Sequence, residues 1–580
     1  MLGGEMPRPF PVNRPALMAG RHMISAGHYL AAAAGHRVLA AGGNAIDAGV
    51  AAGLVINTVL PQWTSLGGVA PIVLYRARDR RVFSISGLGW WPKAATVELF
   101  QARAGGTIPP GVLRTVVPGA ADAWLVALRD FGTRTFAELA APAIELAERG
   151  FAVDPQLERW IAGAKDLIRG WPSSAALYLP GGEAPKAGSL LRQPMLAETL
   201  RALCRAEASG TTRERGIQAA RDAFYRGELA RKMVAFVQAE GGVLTEEDLA
   251  EFSAEVEPPT TSSYREYEVH GCGFWCQGPV VQQTLNILEG YPLRELGHNS
   301  ADYAHLVASA LNLAFADRHA SYGDPRFVEV PAERLLSKAY AAERRGLIEM
   351  ERAWREMAPP GAAPAGVAGA AAGEPARRDT TGGPREPDTS YLCVVDAEGN
   401  GFSATPSDVI TSTPIVPELG IVVSPRGVQS WLDPAHPSSV QPRKRPRLTP
   451  NPGLVTRDGA LYLTFGTPGY DAQPQTMVQV FLNLVEFGMD PQQAIEAPRL
   501  CSLNFPQSSH PHPYTPGRLE LEPGFAPGVW EALARRGYDL HTWEHDTETG
   551  CGCCAILVDR ERGILVAGAD PRRDSYAIGW

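Results

Sequence analysis

In "EPDTSYLCVVDAEGN", residues 386–400, a threonine opens a strand-like run just after a long stretch of alanine, glycine and proline. A threonine hydroxyl is a weak nucleophile and needs a base close by. If Thr389 were the first residue of a chain, its own α-amine, titrating at about 7.7–8.0, would supply that base near neutral pH. An internal threonine has no such amine, so this chemistry requires cutting the bond between Asp388 and Thr389. The preceding residues, 358–387, lack the large apolar side chains that bury a core and are expected to be mobile, which would let the new ends separate. Taken from this stretch alone, Thr389 is also a plain β-branched residue at a strand start.

The elements that would position it can be read from hydrophobic periodicity. Residues 28–75 read helix, turn, helix, loop, strand, with "GGN" at 42–44 breaking two helices rich in alanine and glycine. "APIVLYRA" reads as a buried strand. From 112 to 260 the pattern is mainly helical, and "YREYEVHGCGF" alternates like one strand. "QQTLNILEGY" and a long helix capped by Ser300 follow. After 388 the character changes. "TSYLCVVDAEGNGFSATPSD" reads as two strands around a turn at "AEGN", and "GLVTRDGALYLTFG" and "CAILVDRERGILVAG" add more strands. Helices and strands in both halves imply layered sheet and helix.

Composition narrows the function classes. The 580 residues carry a net charge of −9 and 45% hydrophobic residues, as in a soluble globular protein. A nucleic-acid partner is not expected, because no large basic field is available. The cluster "PRKRPR" at 442–447 reads as a solvated loop. The N-terminal stretch has no unbroken apolar core, so no secretory signal is read and a cytoplasmic location is expected. The longest apolar run, 45–60, carries Asp47 and Asn57 and reads as a buried helix rather than a membrane span. The eight cysteines are expected as buried free thiols. "CGCC" and "HPHP" lack zinc-site spacing, so neither metal nor cofactor is expected. No G-x-S-x-G elbow and no phosphate-binding loop is present.

From about residue 20 to Trp580 the sequence resembles the γ-glutamyltransferase family of N-terminal nucleophile hydrolases. The resemblance rests on several long motifs in the family's order. They are the opening "AGHYLAAAAGHRVLAAGGNAIDAGVAAGLVINTVLPQWTSLGGVAPIVLY", "GVLRTVVPGAADAW", "LNILEGY", "LAFADRHASYGDP", "KRPRLTPNPGLV", "FGTPGYDAQPQ", "AIEAPRL" and the tail "GILVAGADPRRDSYAIGW". It implies an αββα sandwich built from a heavy subunit, 1–388, and a light subunit, 389–580, cut autocatalytically between Asp388 and Thr389. In the family the nucleophile stands five residues before a Val-Val-Asp, which is Thr389 here. A supporting hydroxyl maps to Ser407, where the family has threonine. The oxyanion hole, two backbone N–H groups in a Gly-Gly turn, maps to Gly469 and Tyr470.

The sequence departs from the family where γ-glutamyl enzymes grip their substrate. The arginine that binds the α-carboxylate maps to Leu88, and Lys93 is the only cation from 82 to 102. The serine pair maps to Leu448 and Thr449, and the acidic residue for the α-amine to Gln429. Leucine cannot replace the planar fork of arginine. The nucleophile machinery is therefore expected and the γ-glutamyl pocket is not, as in the divergent branch with oxamate amidohydrolases and acylases. Trp63, Trp90, Trp91, Trp275 and Trp431 lie in or beside these motifs, either lining an apolar acyl site or packing the core. The expected function is hydrolysis or acyl transfer on a small-molecule amide. Two alternatives stay open: an uncut, non-catalytic binding protein, and a genuine γ-glutamyl enzyme with a rearranged clamp.

Overall fold

The computed structural model describes residues 12–361, 389–543 and 551–580. Asp388 and residues 362–387 therefore lie outside the described residues. The first four residues of the expected mobile segment are held: Ala358 is buried, the Pro359 carbonyl accepts from Arg344 at 2.7 Å, and the Gly361 N–H donates to Asp317 at 2.8 Å.

Two seven-stranded sheets form the centre. One runs, edge to edge, Tyr576–Gly579, Met23–Ala26, Leu392–Val395, Gly401–Ala404, Ile72–Arg76, Arg81–Ile85, Val256–Glu257. The other runs Leu17–Ala19, Ile564–Ala569, Cys554–Asp559, Ala460–Gly466, Gly453–Arg457, Tyr267–Gly271, Thr260–Tyr264. Both take strands from before 361 and after 389, so each sheet is shared between the two halves of the chain.

Strand alternation builds the layers. In Leu392–Val395, Leu392 and Val394 join the core beneath the helices Tyr29–Ala40 and Ala45–Val59, while Cys393 and Val395 point into the layer between the sheets. In Cys554–Asp559, Cys554 and Ile556 face that same layer. Ala555 and Leu557 face a second core made with Gly278–Leu288, Ala301–Ser321 and Gln473–Val485. The result is the four-layer αββα sandwich expected. The helix Ala45–Val59 is buried along its whole length and is capped by Asn44 in a reciprocal capping box with Asp47. At Gly49 it lies so close to the sheet that a Cβ would sit 2.3 Å from the Phe402 ring, so this approach requires glycine. Among the described residues no helix is long and apolar enough to cross a membrane.

Two local expectations are corrected. "YREYEVHGCGF" is not one strand: Tyr264 ends Thr260–Tyr264, Arg265 turns at φ 50°, and Tyr267–Gly271 returns antiparallel. Tyr264 and Tyr267 stand three residues apart, off the period of two, because Arg265 and Glu266 form a two-residue turn between them. The "PRKRPR" cluster is not a solvated loop, since Lys444, Arg445 and Arg447 are buried. Arg445 is neutralised there by Glu257 and Asp324, at 2.7 and 3.3 Å.

Candidate active site

Strand register brings the first two candidates together. Leu392–Val395 pairs antiparallel with Gly401–Ala404, Leu392 opposite Ala404. Continuing that register three residues outward puts Thr389 opposite Ser407, and the bond from Ser390 N–H to the Pro406 carbonyl, 2.9 Å, shows the ladder extending that far. Facing residues of such a pair share one side of the sheet. Thr389 Oγ1 and Ser407 Oγ are 2.8 Å apart, both buried. The Gly67–Gly68 loop holds Ser407 from behind: Ser407 N–H donates to the Val69 carbonyl at 2.9 Å, and a Cβ on Gly68 would fall 2.2 Å from the Ser407 carbonyl oxygen.

Thr389 itself is pinned on both sides. Its N–H donates to the Trp63 carbonyl at 3.2 Å, and its carbonyl accepts from Arg573 Nη1 at 3.1 Å. Arg573 in turn lies over the Trp63 ring, 4.4 Å from the centroid. The Thr389 backbone has φ 111°. That region is an outlier for a β-branched side chain, with a cost of about 1–3 kcal/mol.

Sequence reasoning missed the arginine that organises the site. Arg426 is buried, pairs through Nε with Asp408, donates from Nη2 to Ser407 Oγ, and from Nη1 approaches Thr449 Oγ1 at 3.4 Å. A guanidinium only donates, so Ser407 Oγ accepts from it, and the charge strengthens the Ser407 O–H as a donor. A cation inside the apolar run "GIVVSPRGVQSW", three residues before Gln429, was the available signal. Arg573, in the tail "ADPRRDSY", carried none beyond its charge.

Gln429 and Thr449 do meet. Gln429 Nε2 donates to Thr449 Oγ1 at 2.8 Å, and Thr449 N–H donates to Gln429 Oε1 at 3.1 Å. Leu88 and Leu448 do not join this polar group. Both are buried in the apolar cluster of Trp275, Cys272 and Cys276. The turn Gly469–Tyr470 is tied to Thr449 by Gln277, whose Nε2 donates to the carbonyls of both Thr449 and Tyr470 at 2.8 Å. Gly469 has φ 124°, and a Cβ there would press on Cys551 Sγ at 2.5 Å.

The tryptophans divide. Trp63 lies under Arg573, Trp91 donates to Ser430 Oγ at 3.0 Å, and Trp431 stacks on His436 and His512 beside Gln429. Trp90 packs against Phe252, and Trp275 lies under Arg445. All eight cysteines are free thiols. Among the described residues no group of three or more histidine, cysteine or carboxylate side chains could hold a metal.

The chain is similar to several known proteins along most of its length. The acylase ACY 1 proenzyme of Pseudomonas sp. (strain SE83) is 35% identical over 549 residues, 92% of this chain and 89% of the relative. The glutathione hydrolase-like YwrD proenzyme of Bacillus subtilis (strain 168) is 31% identical over 578 residues, covering 97% and 99%. The crystal structure of cephalosporin acylase from Bacillus halodurans superposes with a TM-score of 0.85 at 30% identity, covering 100% of this chain and 99% of that one. The family described as gamma-glutamyltranspeptidase matches residues 31–580, and the chain belongs to that family.

Proposed function

We propose that the chain is a self-processing amidohydrolase or acyltransferase with Thr389 as its nucleophile. In the precursor, Thr389 Oγ1 attacks the carbonyl carbon of Asp388. The C–N bond breaks, the nitrogen leaves as the new α-amine of Thr389, and water cleaves the resulting ester. In the mature protein that amine takes the hydroxyl proton as Oγ1 attacks a substrate amide. The amine half leaves with the proton, and water or an acceptor amine then resolves the acyl ester. The N–H groups of Gly469 and Tyr470 are assigned to the oxyanion.

The observation that carries this reading is the 2.8 Å contact between Thr389 Oγ1 and Ser407 Oγ, held by Arg426. The left-handed φ of Thr389 supports it, because cutting the preceding bond releases the constraint. Both sheets pair strands of the proposed heavy part, 1–388, with strands of the light part, 389–580, so the two pieces would stay associated after cleavage.

The substrate is assigned to amides other than ordinary γ-glutamyl compounds. Leu88 stands in an apolar cluster, where an unpaired α-carboxylate would cost several kcal/mol, roughly, in desolvation. The intact mass of purified protein beside a Thr389→Ala variant tests the reading. Two fragments meeting at Asp388–Thr389 in the wild type, with the variant whole, are expected. If both remain whole while folded, the nucleophile assignment fails and the uncut binding protein takes its place.

A further inference from the structure

The turn assigned to the oxyanion carries a tyrosine at its second position, and that tyrosine is strained. Gly469 has φ 124° and ψ 26°, and Tyr470 follows with φ 60°. Glycine takes such angles freely, whereas a residue with a Cβ is crowded there. These angles aim the Tyr470 N–H. The peptide that carries it is planar and trans, so its carbonyl, on Gly469, points the opposite way. That carbonyl accepts from the Ala472 N–H at 2.9 Å. Without support the tyrosine would relax to negative φ, turn this peptide and swing the donor out of the turn.

The support comes from the next residue. Asp471 is 4% exposed, and Arg318, with no exposed surface, donates from Nη1 to its Oδ1 at 2.5 Å. The same Nη1 donates to Gln277 Oε1 at 2.7 Å, and Gln277 Nε2 donates to the Tyr470 carbonyl at 2.8 Å. Arg318, Gln277, Tyr470 and Asp471 thus close a ring around the strained residue. The guanidinium carbon is fixed in turn, 4.5 Å from the Phe315 ring centroid and 5.1 Å from that of Phe505.

Asp471 has a second anchor. Ser508, in the loop before the strand Arg518–Leu521, donates its Oγ to Oδ1 at 2.6 Å and its N–H to Oδ2 at 2.8 Å. Charged and neutral donors together meet a carboxylate that burial would otherwise disfavour. An acidic side chain in a first turn commonly caps the helix behind it. Here the short turn Tyr470–Ala472 and the helix Gln473–Val485 have no side-chain cap, and the carboxylate faces Arg318 and Ser508 instead.

We propose that Asp471 is a positioning residue. Braced by Arg318 and Ser508, it keeps Tyr470 at positive φ and so keeps the Tyr470 N–H on the oxyanion. This brace lets a tyrosine stand where the turn would otherwise need a second glycine. The proposal rests on the assignment of the oxyanion to Gly469 and Tyr470.

The test uses phenylboronic acid. Thr389 Oγ1 adds to boron, its proton passes to the α-amine, and no group leaves. The resulting tetrahedral boronate carries its negative charge where the oxyanion forms. Boron-11 NMR separates tetrahedral from trigonal boron, and a titration gives the affinity. The proteins are wild type, Asp471→Asn, Tyr470→Gly and the double variant, each shown to be cut by intact mass. Asparagine keeps one oxygen but turns an NH2 group toward donors. Affinity should fall roughly tenfold or more in Asp471→Asn. With Tyr470→Gly present the same change should cost no more than about threefold, because glycine needs no brace. A purely stabilising role would lower the thermal midpoint in both backgrounds and give no such recovery. Equal affinity in wild type and Asp471→Asn, or an equal loss in both backgrounds, overturns the proposal and leaves the oxyanion assignment standing. No tetrahedral boron on the wild type overturns that assignment and the proposal with it. If Asp471→Asn does not fold or does not cut, Ser508→Ala replaces it in the cycle. That variant removes a single bond to the carboxylate, and its loss, with recovery by Tyr470→Gly, is read the same way.

Discussion

Ser407 Oγ lies 2.8 Å from Thr389 Oγ1 because the two residues face each other across a single antiparallel register, three steps beyond the pair Leu392–Ala404. The hairpin turn "AEGN" therefore sets the distance between the proposed nucleophile and its proposed supporting hydroxyl, and the pair is as rigid as the sheet that ends in it.

Replacing Ser407 by alanine should leave the fold intact and slow self-cleavage. A lost hydrogen bond to a reacting group is worth about 1–3 kcal/mol, or roughly 5- to 160-fold in rate. Ser407→Thr keeps the hydroxyl and should recover most of that loss. Time courses of intact mass after expression measure both. Unchanged cleavage in Ser407→Ala would remove Ser407 from the machinery.

Arg426 and Asp408 form a pair with both side chains almost fully buried. Removing one partner strands the other charge, at a cost of about 3–5 kcal/mol. Arg426→Gln and Asp408→Asn should each lower the denaturation midpoint sharply, and the double variant should be more stable than the sum of the two losses predicts. Simple additivity in that cycle would mean that the two groups do not act as a pair. Self-cleavage should stay impaired in the double variant, since Ser407 has lost its donor.

The hairpin around "AEGN", the small-residue helices and the αββα layering were legible because each rests on local periodicity or on long motifs. Thr389 and Ser407 followed from a motif and an equal offset, which an unbroken hairpin register preserves. Arg426 showed only as a cation in an apolar run, and Arg447 not at all. A charged residue outside a regular helix or strand carries no periodic signal, and its burial depends on partners in other segments, such as Asp408 or Trp431. The same blindness made "PRKRPR" look solvated when its acidic partners, Glu257 and Asp324, come from distant segments.

Gly68 gives a steric test of the site's support. Its Cβ would land 2.2 Å from the Ser407 carbonyl and 2.9 Å from Asp408 Cβ, so Gly68→Ala must displace the strand end that carries Ser407. Self-cleavage should fall at least as far as in Ser407→Ala, with stability reduced as well. Gly528, in the helix Pro527–Arg536, has nothing within 4 Å of the same construction. Gly528→Ala should process normally and gain up to about 1 kcal/mol from helix propensity. Equal processing by the two variants would show that the Gly67–Gly68 loop does not support Ser407.

Acid should unfold the protein partly through its buried imidazoles. His270 is 7% exposed, sits between the hydroxyls of Thr261 and Thr456, each at 2.9 Å, and has its pKa lowered by burial to about 4. In the unfolded chain the same ring takes up a proton near pH 6.5. Above that pH neither state is protonated and the stability is fully present. As pH falls through 6.5 toward 4, only the unfolded state gains the proton, so the fold loses stability. Below about 4 both states are protonated and this loss stops. The full span corresponds to about 3 kcal/mol. His270→Gln has no proton to gain, so the stability difference between wild type and variant should shrink by that amount from pH 7 to pH 4. Denaturant midpoints taken at half-unit pH steps measure it, and a difference that stays constant with pH would show that His270 does not resist protonation in the folded state.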